Sequence, residues 1–186
     1  MKKIPKVPDE HKKNAPLEIN LALIIVSSSR FNEIKTGKRS SDKTIPKVER
    51  LLKDEPSIKL AFNSIIPDSE DEIKRVTLRM LKDPSIDAII FSGGTGLSPK
   101  DITYETLEPR LGKKFVGFGE LFRSLSYNEI GTSAMLSRAT AGILEGKKKN
   151  IAVFLLPGSP NAVRLALRYI LIPELGHILY LINKEE

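Results

Sequence analysis

Residues Ile86 to Thr103 read IDAIIFSGGTGLSPKDIT, an apolar run that ends at Phe91 and turns at once into Gly93-Gly94-Thr95-Gly96. A short apolar run bounded by glycines predicts a strand covered on both faces. Glycines just past such a strand let backbone N–H groups approach a phosphate closely. The stretch fits neither G-x-x-x-x-G-K-[ST] nor G-x-G-x-x-G, the two common nucleotide loops. An aspartate, Asp101, follows soon after.

Two further runs resemble the first. Asn20 to Val26 (NLALIIV) and Ile151 to Leu156 (IAVFLL) are continuously apolar, and Ile58 to Ile66 alternates with Ile58, Leu60, Phe62, Ser64 and Ile66 on one side. Helical patterns lie between them. Asp42 can cap a helix whose face is Ile45, Val48, Leu51 and Leu52. Ser69-x-x-Glu72 has the form of a capping box ahead of Ile73, Val76, Met80 and Leu81. Phe118 to Tyr127 reads as another helix, and a long helical pattern follows Pro160, interrupted at Pro173. The polar stretch from Ser27 to Ser41 is expected to be a mobile loop, and Gly131 to Gly142 fits no class. Strands alternating with helices predict a single-domain, three-layer α/β/α sandwich with a mostly parallel central sheet. Residues 1–16, with three prolines, read as an extended N-terminal arm, and 17–186 as the folded domain.

At 186 residues the chain can bury a full core. It has no cysteine, which excludes disulfides, thiolate metal sites and cysteine nucleophiles. Its two histidines, His11 and His177, are far apart and form no zinc-type spacing. The net charge is +7, and the first thirteen residues hold five lysines against two acids. The remaining charge is diffuse and carries no nucleic-acid motif, so no nucleic-acid partner is expected. Leu21 to Val26 is too short to cross a bilayer and no signal peptide is visible, so a cytoplasmic protein without membrane contact is expected.

The unusual residues all follow strand ends: Ser27 to Arg30, Asp68, Gly93 to Asp101, and Pro157 to Asn161. Ligands of open parallel sheets bind at the carboxyl ends of the strands, so these loops should share one rim. Gly93, Gly94 and Gly96 offer N–H groups, Thr95 and Ser98 hydroxyls, and Lys100 a positive charge. A carboxylate beside an anion site is repulsive unless a cation lies between them. Mg²⁺, held by one or two carboxylates plus substrate phosphates, fits Asp101 with Asp68 as the second. Plainer roles remain open for each. The glycines can form a tight turn, Asp101 and Ser69 can be helix caps, and Asp68 a turn residue. Glu120 can be an exposed helix residue, and Ser133, Ser137 and Arg138 can belong to close packing. Ser159, with Pro160 after it, can cap the last helix.

Taken together, Ser92-Gly93-Gly94-Thr95-Gly96, Pro99 to Thr103, Gly117 to Arg123, Gly131 to Arg138 and Leu156 to Pro160 resemble the MoaB/MogA family of molybdenum and tungsten cofactor biosynthesis. The resemblance runs from about Asn20 to about Leu171. It implies an adenylyltransferase that joins molybdopterin to AMP from Mg·ATP, releasing pyrophosphate. It also implies a trimer or hexamer, with a molybdenum insertase as a candidate partner. By motif match, Asp68 and Asp101 would be the catalytic, Mg²⁺-binding carboxylates. Ser27, Gly93, Gly94, Thr95, Gly96, Ser98 and Lys100 would contact phosphates. Glu120, Ser133, Ser137, Arg138, Gly158, Ser159 and Pro160 would complete the pterin and adenine pockets. Lys100 stands where arginine is frequent, which keeps the charge without the bidentate fork. A carrier or scaffold that binds molybdopterin without catalysis is the alternative.

Overall fold

In the computed structural model, which describes residues 16–184, the apolar runs are the inner strands of one five-stranded sheet. The strands are β1 (Ile19–Val26), β2 (Ile58–Ile66), β3 (Ala88–Ser92), β4 (Thr140–Glu145) and β5 (Asn150–Leu156), in spatial order β2-β1-β3-β5-β4. The first four in that order run parallel, and β4 is antiparallel to β5. Helices cover both faces, as the sequence predicts. The expected N-terminal arm lies, apart from Pro16, outside the described residues.

The unbroken hydrophobicity of β1 has a direct cause. Leu21, Leu23 and Ile25 pack with α2 (Thr44–Leu52), α5 (Val116–Ile130), α6 (Pro160–Ala166) and α7 (Ile172–Asn183). Ala22, Ile24 and Val26 pack on the opposite face with α3 (Glu70–Lys82) and with Leu107 at the end of α4 (Thr103–Leu107). In β5, Phe154 and Leu156 serve the first face, Val153 and Leu155 the second. Each fully buried aliphatic or aromatic side chain contributes about 1.5–3 kcal/mol, so neither face tolerates a polar residue cheaply. The stretch from Pro160 to Asn183 has a membrane span's length, and its most apolar 18 residues have a mean hydropathy of 1.5. Here Val163, Leu167, Leu171 and Leu175 are buried in the core beside the sheet.

Several local expectations are corrected. Ser28–Lys35 is a helix, α1, not a loop, although it buries no side chain. Ser27 starts it by accepting a hydrogen bond from the N–H of Arg30 at 3.5 Å. β2 does not keep its alternation on one side. An irregularity lets Ala61 stand unpaired between Leu60 and Phe62, so Ile58 and Leu60 join one core face and Phe62 and Ile66 the other. Ser69 precedes α3, but its hydroxyl makes no capping bond and Glu72 pairs with Arg75 instead. Three acids in that first turn still complement the helix dipole. The unclassified segment divides into a 3₁₀ helix (Gly131–Leu136) and the edge strand β4. Ahead of Pro173 the last helix relaxes into a π turn (Leu167–Leu171) rather than breaking. That turn accommodates a residue with no N–H to donate.

Candidate active site

Four strands pointing the same way bring four loops to one rim. From β1 the chain crosses to β2 on one side and returns to β3 on the other, so a crevice opens between the ends of β1 and β3. It is a cavity of about 490 Å³ lined by the segments that follow β1, β2, β3 and β5. Of the expected residues, Ser27, Asp68, Gly93, Gly94, Thr95, Gly96, Asp101 and Gly158 line it.

The glycine loop is built by close backbone approach. Gly93 has φ +114°, donates its N–H to Leu156 O at 3.0 Å, and would drive a Cβ to 2.2 Å from Val26 O. It therefore locks the ends of three strands together, and its N–H is not bare as the sequence reading supposed. Gly94, at φ +66°, accepts from Thr103 N at 2.8 Å and would place a Cβ 2.2 Å from Thr103 Oγ1. The N–H groups of Gly94, Thr95 and Gly96 have no acceptor among the described residues. Thr95 is 2% exposed, and unsatisfied donors at such a depth favour an anionic ligand.

Both aspartates are positioned by backbone. Asp68 Oδ2 accepts from Ser28 N at 2.7 Å and Ser28 Oγ at 2.8 Å, at the first turn of α1, while Asp68 N donates to Ser28 Oγ at 2.9 Å. Asp101 Oδ2 accepts from Ser98 N at 3.1 Å and lies 2.8 Å from where a Gly96 Cβ would be. The carboxylate is thus folded onto the glycine loop, in a space only glycine leaves. The second oxygens of both side chains have no hydrogen-bond partner among the described residues. No cluster of three or more Asp, Glu or His able to hold a metal occurs among those residues. Two carboxylates without a third protein ligand fit Mg²⁺ that arrives with phosphate oxygens.

The remaining expected residues lie outside the cavity lining. Ser98 and Lys100 are exposed on the outer part of the loop, Ser98 bracing Asp101. Glu120 and Ser133 are exposed on α5 and the 3₁₀ turn, and Ser137 Oγ accepts from Ala139 N at 3.3 Å. Ser159 caps α6 through Ala162 N at 3.0 Å, with Pro160 in the first turn. Arg138 supports the loop from behind. Its Nε donates to Thr95 O at 3.0 Å, its Nη2 to Gly96 O, its fork pairs with Glu105, and its guanidinium stacks on Tyr104 at 4.7 Å. Holding the Thr95 carbonyl fixes the peptide plane that carries the Gly96 N–H, and holding the Gly96 carbonyl fixes the next one.

Glu105, for which sequence reasoning found no role, is the partner of that clamp. The hydrogen bond from Arg138 holds its carboxyl below the usual 4.5. A depressed folded value means that the pair stabilises above the unfolded value and fades as pH falls through the folded one. Because Glu105 is half exposed, Glu105→Gln should cost under about 1 kcal/mol. The difference in Tm between wild type and variant should narrow as melts are taken from pH 7 to below 4.5. Ser28, Ser29 and Arg30 reach the site as their place after a strand end predicts, although the pattern gives them no individual role; Ser41, which the pattern does not place there, arrives through the segment that follows Ser28–Lys35.

The arrangement defines an α/β domain whose ligand cavity opens at the switch point of a parallel sheet. Residues 22–177 match the family model described as a probable molybdopterin binding domain. The molybdenum cofactor biosynthesis protein B of Bacillus cereus is 40% identical over 177 residues, 95% of this chain and 98% of the relative. The molybdopterin adenylyltransferase of Pyrococcus furiosus is 38% identical over 172 residues, 92% of this chain and 95% of the relative. The crystal structure of the tungsten cofactor synthesizing protein MoaB of that organism superposes with a TM-score of 0.77 at 34% identity, over 90% of this chain and 99% of that one. The chain belongs to the MoaB/MogA family of molybdopterin-binding domains.

Proposed function

We propose that the protein is a molybdopterin adenylyltransferase working in molybdenum or tungsten cofactor biosynthesis. A terminal phosphate oxygen of molybdopterin attacks the α-phosphorus of ATP. The bond from that phosphorus to the oxygen bridging the β-phosphate breaks, and pyrophosphate leaves with the electron pair. The observation that carries the reading is the meeting of Asp68, Asp101 and unsatisfied loop N–H groups around one cavity. Joining two anions demands charge neutralisation and in-line positioning more than a protein nucleophile, and this chain has no cysteine to offer. Mg²⁺ entering with ATP would be held by Asp68 and Asp101 and would neutralise phosphate charge. The N–H groups of Gly94 to Gly96 bind phosphoryl oxygens, Ser28 fixes Asp68, and Ser98 fixes Asp101. Glu120, Ser133 and Ser137 are assigned to the pterin and adenine pockets by the family pattern.

The same reading includes self-association, folding of residues 17–186 as the functional domain, work in the cytoplasm, and delivery of product to an insertase. Val116, Leu121, Ile130, Met135 and Leu136 are all exposed on α5 and the turn after it, an apolar surface that a second copy would cover. Purified protein mixed with molybdopterin, Mg²⁺ and ATP should release pyrophosphate and form adenylylated pterin. Pterin binding without either product would identify a carrier instead.

A further inference from the structure

The ligands proposed for the cavity are anions, yet two of its lining residues are aspartates. Among the described residues that line it, Arg30 is the one cation. Lys100, the cation that the glycine loop's sequence offers for that role, is exposed and outside the lining. Arg30 belongs to the first turn of α1, two residues after the Ser28 that holds Asp68.

Its surroundings leave the guanidinium available. Arg30 Nη1 is 3.8 Å from Asp42 Oδ1, close enough for charge attraction and too far for a hydrogen bond. The Asp42 side chain is 4% exposed, its Oδ2 accepts from Ile45 N at 2.8 Å, and its Oδ1 has no hydrogen-bond partner among the described residues. Burying a carboxylate oxygen with no donor is costly, and the nearby guanidinium charge is what offsets it. Asp42 is thus anchored at the start of α2 and attracts Arg30 without occupying its donors. The connecting segment is pinned as well. Glu33 accepts from Ser41 N at 2.7 Å and Ser41 Oγ at 2.9 Å, bonds that hold its carboxyl below the usual range. Among the described residues no group accepts a hydrogen bond from the Arg30 side chain. A planar fork of donors at the mouth of an anion cavity, oriented by a buried carboxylate, matches a phosphoryl group.

We propose that Arg30 is the cationic clamp on a phosphoryl oxyanion of the substrates, and that Asp42 is a positioning residue acting through it. The proposal rests on the reading of this cavity as the adenylylation site. The phosphoryl group can belong to ATP or to molybdopterin, so the Kd for each is measured separately by calorimetry. Arg30→Ala should weaken at least one by roughly ten- to a hundredfold, the loss of a charge-assisted hydrogen bond. Arg30→Lys should restore part of it. Asp42→Asn keeps an acceptor for Ile45 N but not the charge, so it should weaken binding in the wild type and add nothing in the Arg30→Ala background. Lys38→Ala, an exposed cation away from the cavity, should leave both affinities unchanged.

A loss for ATP alone places the clamp on the nucleotide, and a loss for molybdopterin alone places it on the pterin phosphate. A folded Arg30→Ala variant with both affinities within about twofold of wild type overturns the proposal, since a charged hydrogen bond is worth more than that. Should that variant fail to fold, Asp42→Asn decides, and unchanged affinities overturn it equally. Arg30-dependent binding without pyrophosphate release defeats the transferase reading and leaves the clamp standing. Turnover with affinities indifferent to Arg30 does the reverse.

Discussion

Replacing Asp101 with Asn should lower adenylylation on the order of a hundred- to a thousandfold while leaving molybdopterin affinity within a few fold. Asn is nearly isosteric, so the bond from Ser98 N at 3.1 Å and the close approach over Gly96 can both persist. On the proposed reading, what disappears is the negative charge that would draw Mg²⁺ to the phosphates. Charge develops on the bridging oxygen as pyrophosphate leaves, so the loss falls on the transition state rather than on ground-state binding. Single-turnover rates with saturating ATP, compared with pterin Kd values, separate the two. Equal loss in both would make Asp101 a binding residue.

The second large effect is structural. Gly93→Ala should cost about 3 kcal/mol or more, combining a left-handed backbone forbidden to alanine with overpacking. The added Cβ would meet Val26 O at 2.2 Å, and neither atom can retreat, because Val26 ends β1 and Gly93 N is bonded to Leu156 O. Gly158 packs on the same spot, so a shift of Gly93 disturbs the end of β5 as well. For a chain of this size the loss corresponds to a fall in Tm of about 6–12 °C, read by calorimetry or circular dichroism. Gly117 has φ outside the positive range and open space around it, so Gly117→Ala should hold or raise Tm. Indifference of Tm to Gly93→Ala would mean that the three strand ends are not locked there.

How much of this was legible before the structure follows from where the information resides. The runs Asn20–Val26, Ile86–Phe91 and Ile151–Leu156 declare themselves because both faces of each strand are buried, and burial leaves a compositional mark. The rim was legible for a related reason. Gly93, Gly94, Asp68 and Asp101 follow strand ends, and a parallel sheet brings strand ends together. α1 was not legible, since it buries no side chain and leaves no apolar stripe. β4 is a short edge strand of small and apolar residues, Thr140 to Glu145, with little to set it apart from a turn. The irregularity at Ala61 is invisible because alternation looks intact on either side of it. Arg30 follows a strand end and was legible on the rim, but its pairing with Asp42 and the arrival of Ser41 depend on contacts between separate segments, which no local pattern records.

A crystal soaked with Mg²⁺ and AMP shows whether this cavity is the nucleotide site. Phosphate oxygens are expected at the N–H groups of Gly94, Thr95 and Gly96, with a cation between Asp68 and Asp101. Nucleotide bound instead in the larger groove lined by Phe115, Ile143, Ile178 and Leu181, with the Asp68–Asp101 cavity empty, would contradict it.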